Sequence, residues 1–490
     1  MKQLSRFFNI EWLEKLFLWF MILFPIFDIF LFYNSFTTLI RIFIVFLFLG
    51  MLLIVCPESR KRFRYLFLYG IIVFVYFLFH HFHALDFKSL VPGNFDYSIV
   101  REFLYVLKMS MPVVFVFVLY HLRWESKCYF KVLKWWIFII AGSIIITNLF
   151  QISLGSYSDQ VILGNIFDWF FLSRNGLSYY DLASKGFFMY ANQISTICVM
   201  LLIVCSYFCF REKTFISKIM LAILSLSMVM LGTRVASVGG LLILFVCLFS
   251  YLFFQVIRKK KIDFAMTGFT LFVIGGWAIL LPFSPCMNRG QVMNDIYHED
   301  EVALVYAAEL VGNDIDKLTY IEQNYEKKRI ANEFIYDNYP YQYDPDFWYD
   351  IMQLPVEKRV DYRFLEISMV ERVVNINDNP NDKWFGITNT RVQNIFNIER
   401  DFVLQYYSFG IIGCVLFLGI YLIFFGIGFY YFIKKFDWLS TLTVFLIGCF
   451  LLCCYASGNN LNHLSVMFPA SFLIVVMFHL SNRCEKTVKN

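Results

Sequence analysis

The chain predicts an all-α polytopic membrane protein, with about 12 transmembrane helices and one large helical extracytoplasmic loop. Hydrophobic residues make up 59% of the 490 and charged residues 16%, with a mean hydropathy of +0.62. A soluble surface needs roughly a quarter charged residues to stay wet. Apolar runs of membrane-crossing length recur along the chain, and Lys and Arg gather in every second connection. The sixty Phe, thirty Tyr and ten Trp suit a surface that meets lipid and its interfaces.

A helix crossing a hydrocarbon layer of about 30 Å needs about 20 apolar residues. Twelve runs qualify: 13–33, 38–56, 65–84, 102–120, 135–153, 189–210, 216–233, 235–256, 265–283, 402–432, 438–456 and 464–481. The run at 402–432 exceeds one straight crossing and is expected to tilt or to extend past the membrane. Arg60, Lys61, Arg62 and Arg64 open the basic set of connections; Arg123, Lys127, Lys131 and Lys134 continue it, as do Arg211, Lys213 and Lys218, then Arg258 to Lys261, then Lys434 and Lys435. The alternate connections 34–37 and 457–463 hold no Lys or Arg. Both termini are therefore expected in the cytoplasm. The order becomes 1–283 (nine spans), 284–400 (the loop), 401–482 (three spans) and 483–490 (a cytoplasmic tail).

The loop holds 21 Asp and Glu against 12 Lys and Arg. Apolar spacings predict a helix over 301–337 and a second over about 357–376, ending at the cluster NINDNPND. Between them, YPYQYDPDFWYDIMQLP is dense in aromatics that either stack on sugar rings or fill a small core; the core is the favoured reading. Cys286 has no cysteine partner on that side, so packing must hold the loop together. No Cys/His grouping has metal-ligand spacing, so neither metal nor cofactor is expected. His80, His81 and His83 end the third span and read as interfacial residues.

Charges inside spans carry the chemistry, since each costs at least about 2.5–3.5 kcal/mol at the bilayer centre without a partner or cavity. Arg101 and Lys108 share one face of the fourth span, about 10 Å apart. Asp28 lies in the first span, Arg41 in the second, and Lys185 opens the sixth. Arg234 sits where the seventh span turns into the eighth. Arg41, Arg101, Lys185 and Arg234 are expected near the outer membrane face, where a planar guanidinium suits phosphate. The bland alternative is that they reach lipid headgroups or pair with Asp28 and Glu102.

Five segments carry a family resemblance: KGFFMYANQIST opening the sixth span, LGTRVASVGG at the turn, DYRFLEISMVERVVNINDNPNDKWFGI late in the loop, IERDFVLQYYSFGIIG entering the tenth span, and SGNNLNHLSVMFP at the last turn. Their order resembles the O-antigen ligase and polymerase superfamily of bacterial cell-surface glycans. The resemblance implies metal-independent, inverting glycosyl transfer from an undecaprenyl-diphosphate-linked glycan, at the outer face of the bacterial cytoplasmic (inner) membrane. It implies Arg234 and Arg363 on the diphosphate, supported by Lys185, Arg101 and Lys108. Arg391, Asn192 and His463 would contact the glycan, and Glu399 or Asp401 would orient or deprotonate the acceptor. Glu399 has a structural reading too, as an interfacial carboxylate paired with Arg400 or Arg391. The resemblance also implies membrane lipid as a partner, leaves room for a chain-length regulator and a flippase of the same pathway, and implies no nucleic acid.

One departure shifts the reading within the superfamily. Its ligases carry a His just before the span after the loop, where this chain has NIERD; its one loop histidine, His298, lies near the other end. That favours a repeat-unit polymerase of an O-antigen or capsule over a ligase. A lipid-linked glycan exporter or solute transporter is the alternative of another class, but the chain lacks the repeated halves transporters commonly show.

Overall fold

The computed structural model describes residues 9–29, 35–91, 96–122, 124–152, 162–171, 179–290, 316–395 and 398–488. Arg123, His298 and the 301–315 portion of the first expected loop helix lie outside the described residues. Among those described, ten helices are long and apolar enough to cross a membrane, and there is no β-strand, only an isolated bridge between Ile29 and Phe188. The chain is an all-α polytopic membrane protein.

The early helices are α1 (Ile10–Leu23), α2 (Ser35–Val55), α3 (Pro57–Ala84), α4 (Ile99–His121) and α5 (Ser126–Leu149). Next come α6 (Ala191–Glu212), α7 (Phe215–Leu231), α8 (Gly240–Ile257) and α9 (Phe264–Leu280). Two of the twelve expected spans fall on helices too short to count among those ten. α1 stops at Leu23 because Pro25 has no N–H to continue the ladder, and the chain tightens into a 3-10 turn over Phe24–Asp28. The indole N–H of Trp136 donates to the Met21 carbonyl at that break. α7 has 17 residues, ending at Gly232, whose φ of 71° gives a left-handed cap.

The chain divides into two compact units: Met1–Tyr69 with Ser110–Arg289 and Ile420–Asn490, and Gly70–Met109 with Gly290–Gly419. At the centre of the first lies α6, buried from Gln193 to Phe210 and packed on α5, α7 and α8. α15 (Trp438–Ala456) and α16 (Leu464–Val488) complete its surroundings. Ser195 and Ser206 turn their hydroxyls back to carbonyls of α6 itself, which removes the cost of burying them.

The second unit carries the loop helices α10 (Lys317–Asn324), α11 (Pro345–Met352), α12 (Tyr362–Asn377) and α13 (Asn389–Ile395). Its core gathers Phe334, Tyr339, Trp348, Leu365, Met369 and Val392. The buried aromatics are therefore core: Trp348 donates its indole N–H to the Tyr339 carbonyl at 2.7 Å, and the Tyr339 hydroxyl donates to Asp344 at 2.8 Å. Arg372 closes on Asp344 at 2.7 Å. The long run after the loop forms α14 (Asp401–Lys435), which is interrupted at Gly410 with φ 64° and ψ −172°. There the segment Trp384–Gly386 crosses Ser408–Gly410 so closely that neither Gly386 nor Gly410 has room for a Cβ. The Ile387 N–H donates to the Tyr407 carbonyl at 2.8 Å across this crossing, and the Tyr76 hydroxyl takes the Phe409 carbonyl at 2.7 Å.

Candidate active site

Within the first unit, three of the five motif segments meet. The Ser195 hydroxyl of α6 lies 2.6 Å from that of Thr233, tying α6 to the turn that carries Arg234. Ser465 donates to the Gln193 amide oxygen at 3.0 Å, and the His463 ring packs 5.5 Å from that of Tyr190. Asn192 is half-buried on the first turn of α6. Lys185 is buried and donates to the Met189 carbonyl at 2.8 Å. Arg234 is exposed and enters no ion pair among the described residues. A small recess of about 10 Å³ lies between Asp28, Phe188, Tyr190, Gln193 and Ser465, room for about one water molecule. Arg41, expected among the phosphate-facing cations, is instead buried in an ion pair with Asp28.

In the second unit, Glu102 is fully buried and accepts four hydrogen bonds. They come from the Asn389 and Thr390 N–H groups at 3.0 Å each, the Thr390 hydroxyl at 2.9 Å and His80 at 3.0 Å. The other His80 nitrogen lies 2.7 Å from the Phe385 carbonyl. His83 meets Asp382 at 2.8 Å and His81 meets the Tyr97 hydroxyl at 2.8 Å. The three histidines are thus not merely interfacial, as the sequence suggested: two of them tie the end of α3 to the loop. Among the described residues no cluster could hold a metal ion.

Arg391, on α13, is also buried, donating to the Ala84 carbonyl at 2.8 Å with its guanidinium 4.0 Å over the Phe87 ring. Burial pushes it down to about 10. Arg101 is exposed, whereas Lys108 is half-buried with its ammonium 4.3 Å over the Tyr105 ring, so the two differ in access. Asp401 is fully buried at the start of α14.

Arg363 and Glu399 come together. Arg363 donates from Nε at 2.9 Å and from Nη2 at 2.8 Å to the same oxygen of Glu399, with both side chains more than a third exposed. The partner of Glu399 is thus Arg363, where the sequence suggested Arg400 or Arg391. The Glu399 N–H donates at 3.1 Å to Glu366, which is 1% exposed. Burial pushes the Glu366 carboxyl up to about 8, against the pull of that N–H bond. Sequence reasoning missed Glu366, because three residues after Arg363 on one helix it reads as half of a solvated surface pair.

Against known protein families, residues 10–483 match the model described as O-antigen ligase like membrane protein. No curated protein and no solved structure matches the chain.

Proposed function

We infer the activity from a premise that this match establishes: the chain belongs to the O-antigen ligase like membrane protein family. Membership makes it a polysaccharide-related membrane enzyme of glycosyl-transfer type. Our reading is narrower: a polymerase that extends repeat units carried on undecaprenyl diphosphate, working at the outer face of the bacterial cytoplasmic membrane.

The observation that carries this reading is the accessible Arg363–Glu399 pair. Inverting transfer needs a cation for the departing diphosphate and an acceptor for the proton of the attacking hydroxyl. A guanidinium exchanges a carboxylate for a phosphate readily, because its fork fits both. In this reading the diphosphate takes Arg363, and the released Glu399 carboxylate orients and deprotonates the sugar hydroxyl. That oxygen forms its bond to the anomeric carbon as the bond to the diphosphate breaks. Arg234, exposed in the first unit, is a further phosphate-binding candidate.

The test supplies purified full-length protein with a lipid-diphosphate-linked repeat unit. A ladder of longer glycans supports the polymerase. Transfer only to an added second acceptor assigns a ligase instead, and neither product from intact protein overturns the enzyme reading.

A further inference from the structure

The Arg363–Glu399 pair rests on a carboxyl that neither the family match nor the mechanism above uses. Glu366 projects from α12 one turn after Arg363, sealed from solvent, and its Oε2 takes the Glu399 main-chain N–H at 3.1 Å. Glu399 is therefore held twice: by its side chain to Arg363 and by its backbone to Glu366. The charged groups that face Glu366 are Arg363 and the Asp361 carboxylate at the start of α12, and Glu399 from the segment before α14. Asp361 is engaged in capping, accepting the Arg363 N–H at 3.1 Å.

We propose that Glu366, in its neutral form, is a positioning residue that holds Glu399 against Arg363, and that its ionisation breaks this arrangement. The proposal rests on the reading of Glu399 as the proton acceptor. A neutral Glu366 offers its carbonyl oxygen to the Glu399 N–H without adding charge. Once ionised, it places a third carboxylate beside one guanidinium, and its own charge is buried where water screens poorly. Arg363 is then drawn toward the buried charge, and Glu399 loses its side-chain anchor. Two carboxyls whose surroundings push their proton affinities apart divide the work in this way: one stays ionised and reacts, the other stays protonated and supports it.

Two measurements test the proposal, on the full-length protein and on Glu366→Gln, which keeps the amide-accepting oxygen and cannot ionise. The first is the initial rate of glycan extension across pH 6–9.5. With the carboxyl titrating at about 8, the wild-type rate falls about tenfold between pH 7 and pH 9, while E366Q changes less than about twofold. The second is the thermal midpoint, which needs no substrate. A carboxyl whose folded value is raised makes folding take up a proton between its ordinary value of 4.5 and about 8. Its contribution to stability therefore falls as pH rises through that window and is flat above it. E366Q removes the slope, so its midpoint exceeds wild type at pH 8 and matches it at pH 5.

An alkaline loss that persists unchanged in E366Q overturns the positioning role, and so does a midpoint difference that does not vary with pH. A wild-type rate with no loss up to pH 9 overturns it even where E366Q does not accumulate. Wild-type protein that yields no product at any pH overturns the activity instead, and the positioning role falls with it.

Discussion

Gly386→Ala should open the crossing on which the second unit closes. Gly386 sits at φ 74° and ψ 175°, a region that essentially only glycine occupies, so alanine there is strained by about 1–3 kcal/mol. Its Cβ would lie 2.5 Å from the Ser408 carbonyl carbon and oxygen and from the Phe409 nitrogen. Backbone cannot rotate aside as a side chain can, so the two segments must part. Parting breaks the bonds from the Ile387 N–H to Tyr407 at 2.8 Å and from the Thr388 N–H to Ser408 at 3.2 Å. Each such bond lost costs about 1–3 kcal/mol, which with the strain puts the total at about 3–9 kcal/mol. For a domain of this size about 1 kcal/mol moves the thermal midpoint by about 2–4 °C, so a fall of at least about 6 °C is expected. Thermal unfolding of the purified protein, with proteolysis of the loop as a second readout, measures it. Gly410→Ala acts on the same crossing, and the double variant should be little worse than either single one. A midpoint within about 2 °C of wild type for Gly386→Ala, or simple additivity in the double variant, would refute the reasoning.

Asp28→Asn strands the Arg41 charge in an apolar setting and should cost about 3–5 kcal/mol, read as a lowered thermal midpoint. Asp28→Asn with Arg41→Met should recover much of that loss, and no recovery means the pair is not what the site needs. Glu102→Gln removes the charge that gathers two N–H groups, a hydroxyl and an imidazole. Amide exchange over 389–395 should quicken at least about tenfold, at about 1.4 kcal/mol per decade. Arg363→Ala should lower glycan extension by about 10²–10³ while the protein still inserts, and full activity in that variant rules Arg363 out as a diphosphate contact.

The membrane class was legible because a hydrocarbon layer imposes a length, and length and apolarity are read directly from a chain. The positions of the helices followed for the same reason. Their breaks did not, because proline and glycine are common inside membrane helices and do not announce which of them will end one. Pro25 stops α1 and Gly410 interrupts α14, whereas Pro112 sits inside α4 and Pro469 inside α16. What separates them is the tertiary setting: Trp136 takes the carbonyl at the first break and Tyr76 the one at Phe409. Tyr76 and Phe409 are 333 residues apart in sequence, beyond any local pattern.

The candidate site was legible as residue types but not as roles, and accessibility is what divides the roles. Each intramembrane or near-membrane cation looked equally expensive, hence equally functional. A cation that serves a ligand must be able to give up its present partner for a phosphate. Arg41 is sealed against Asp28, Lys185 against the Met189 carbonyl, and Arg391 between the Ala84 carbonyl and the Phe87 ring. For these three, exchange means opening the core. Arg101 and Arg234 are exposed, and Arg363 is more than a third exposed against an equally accessible carboxylate. Surface ion pairs of that kind are worth about 0–1 kcal/mol, so replacing Glu399 by a diphosphate costs Arg363 little. The weakness of the Arg363–Glu399 bridge as a stabilising contact therefore fits the exchange proposed for it.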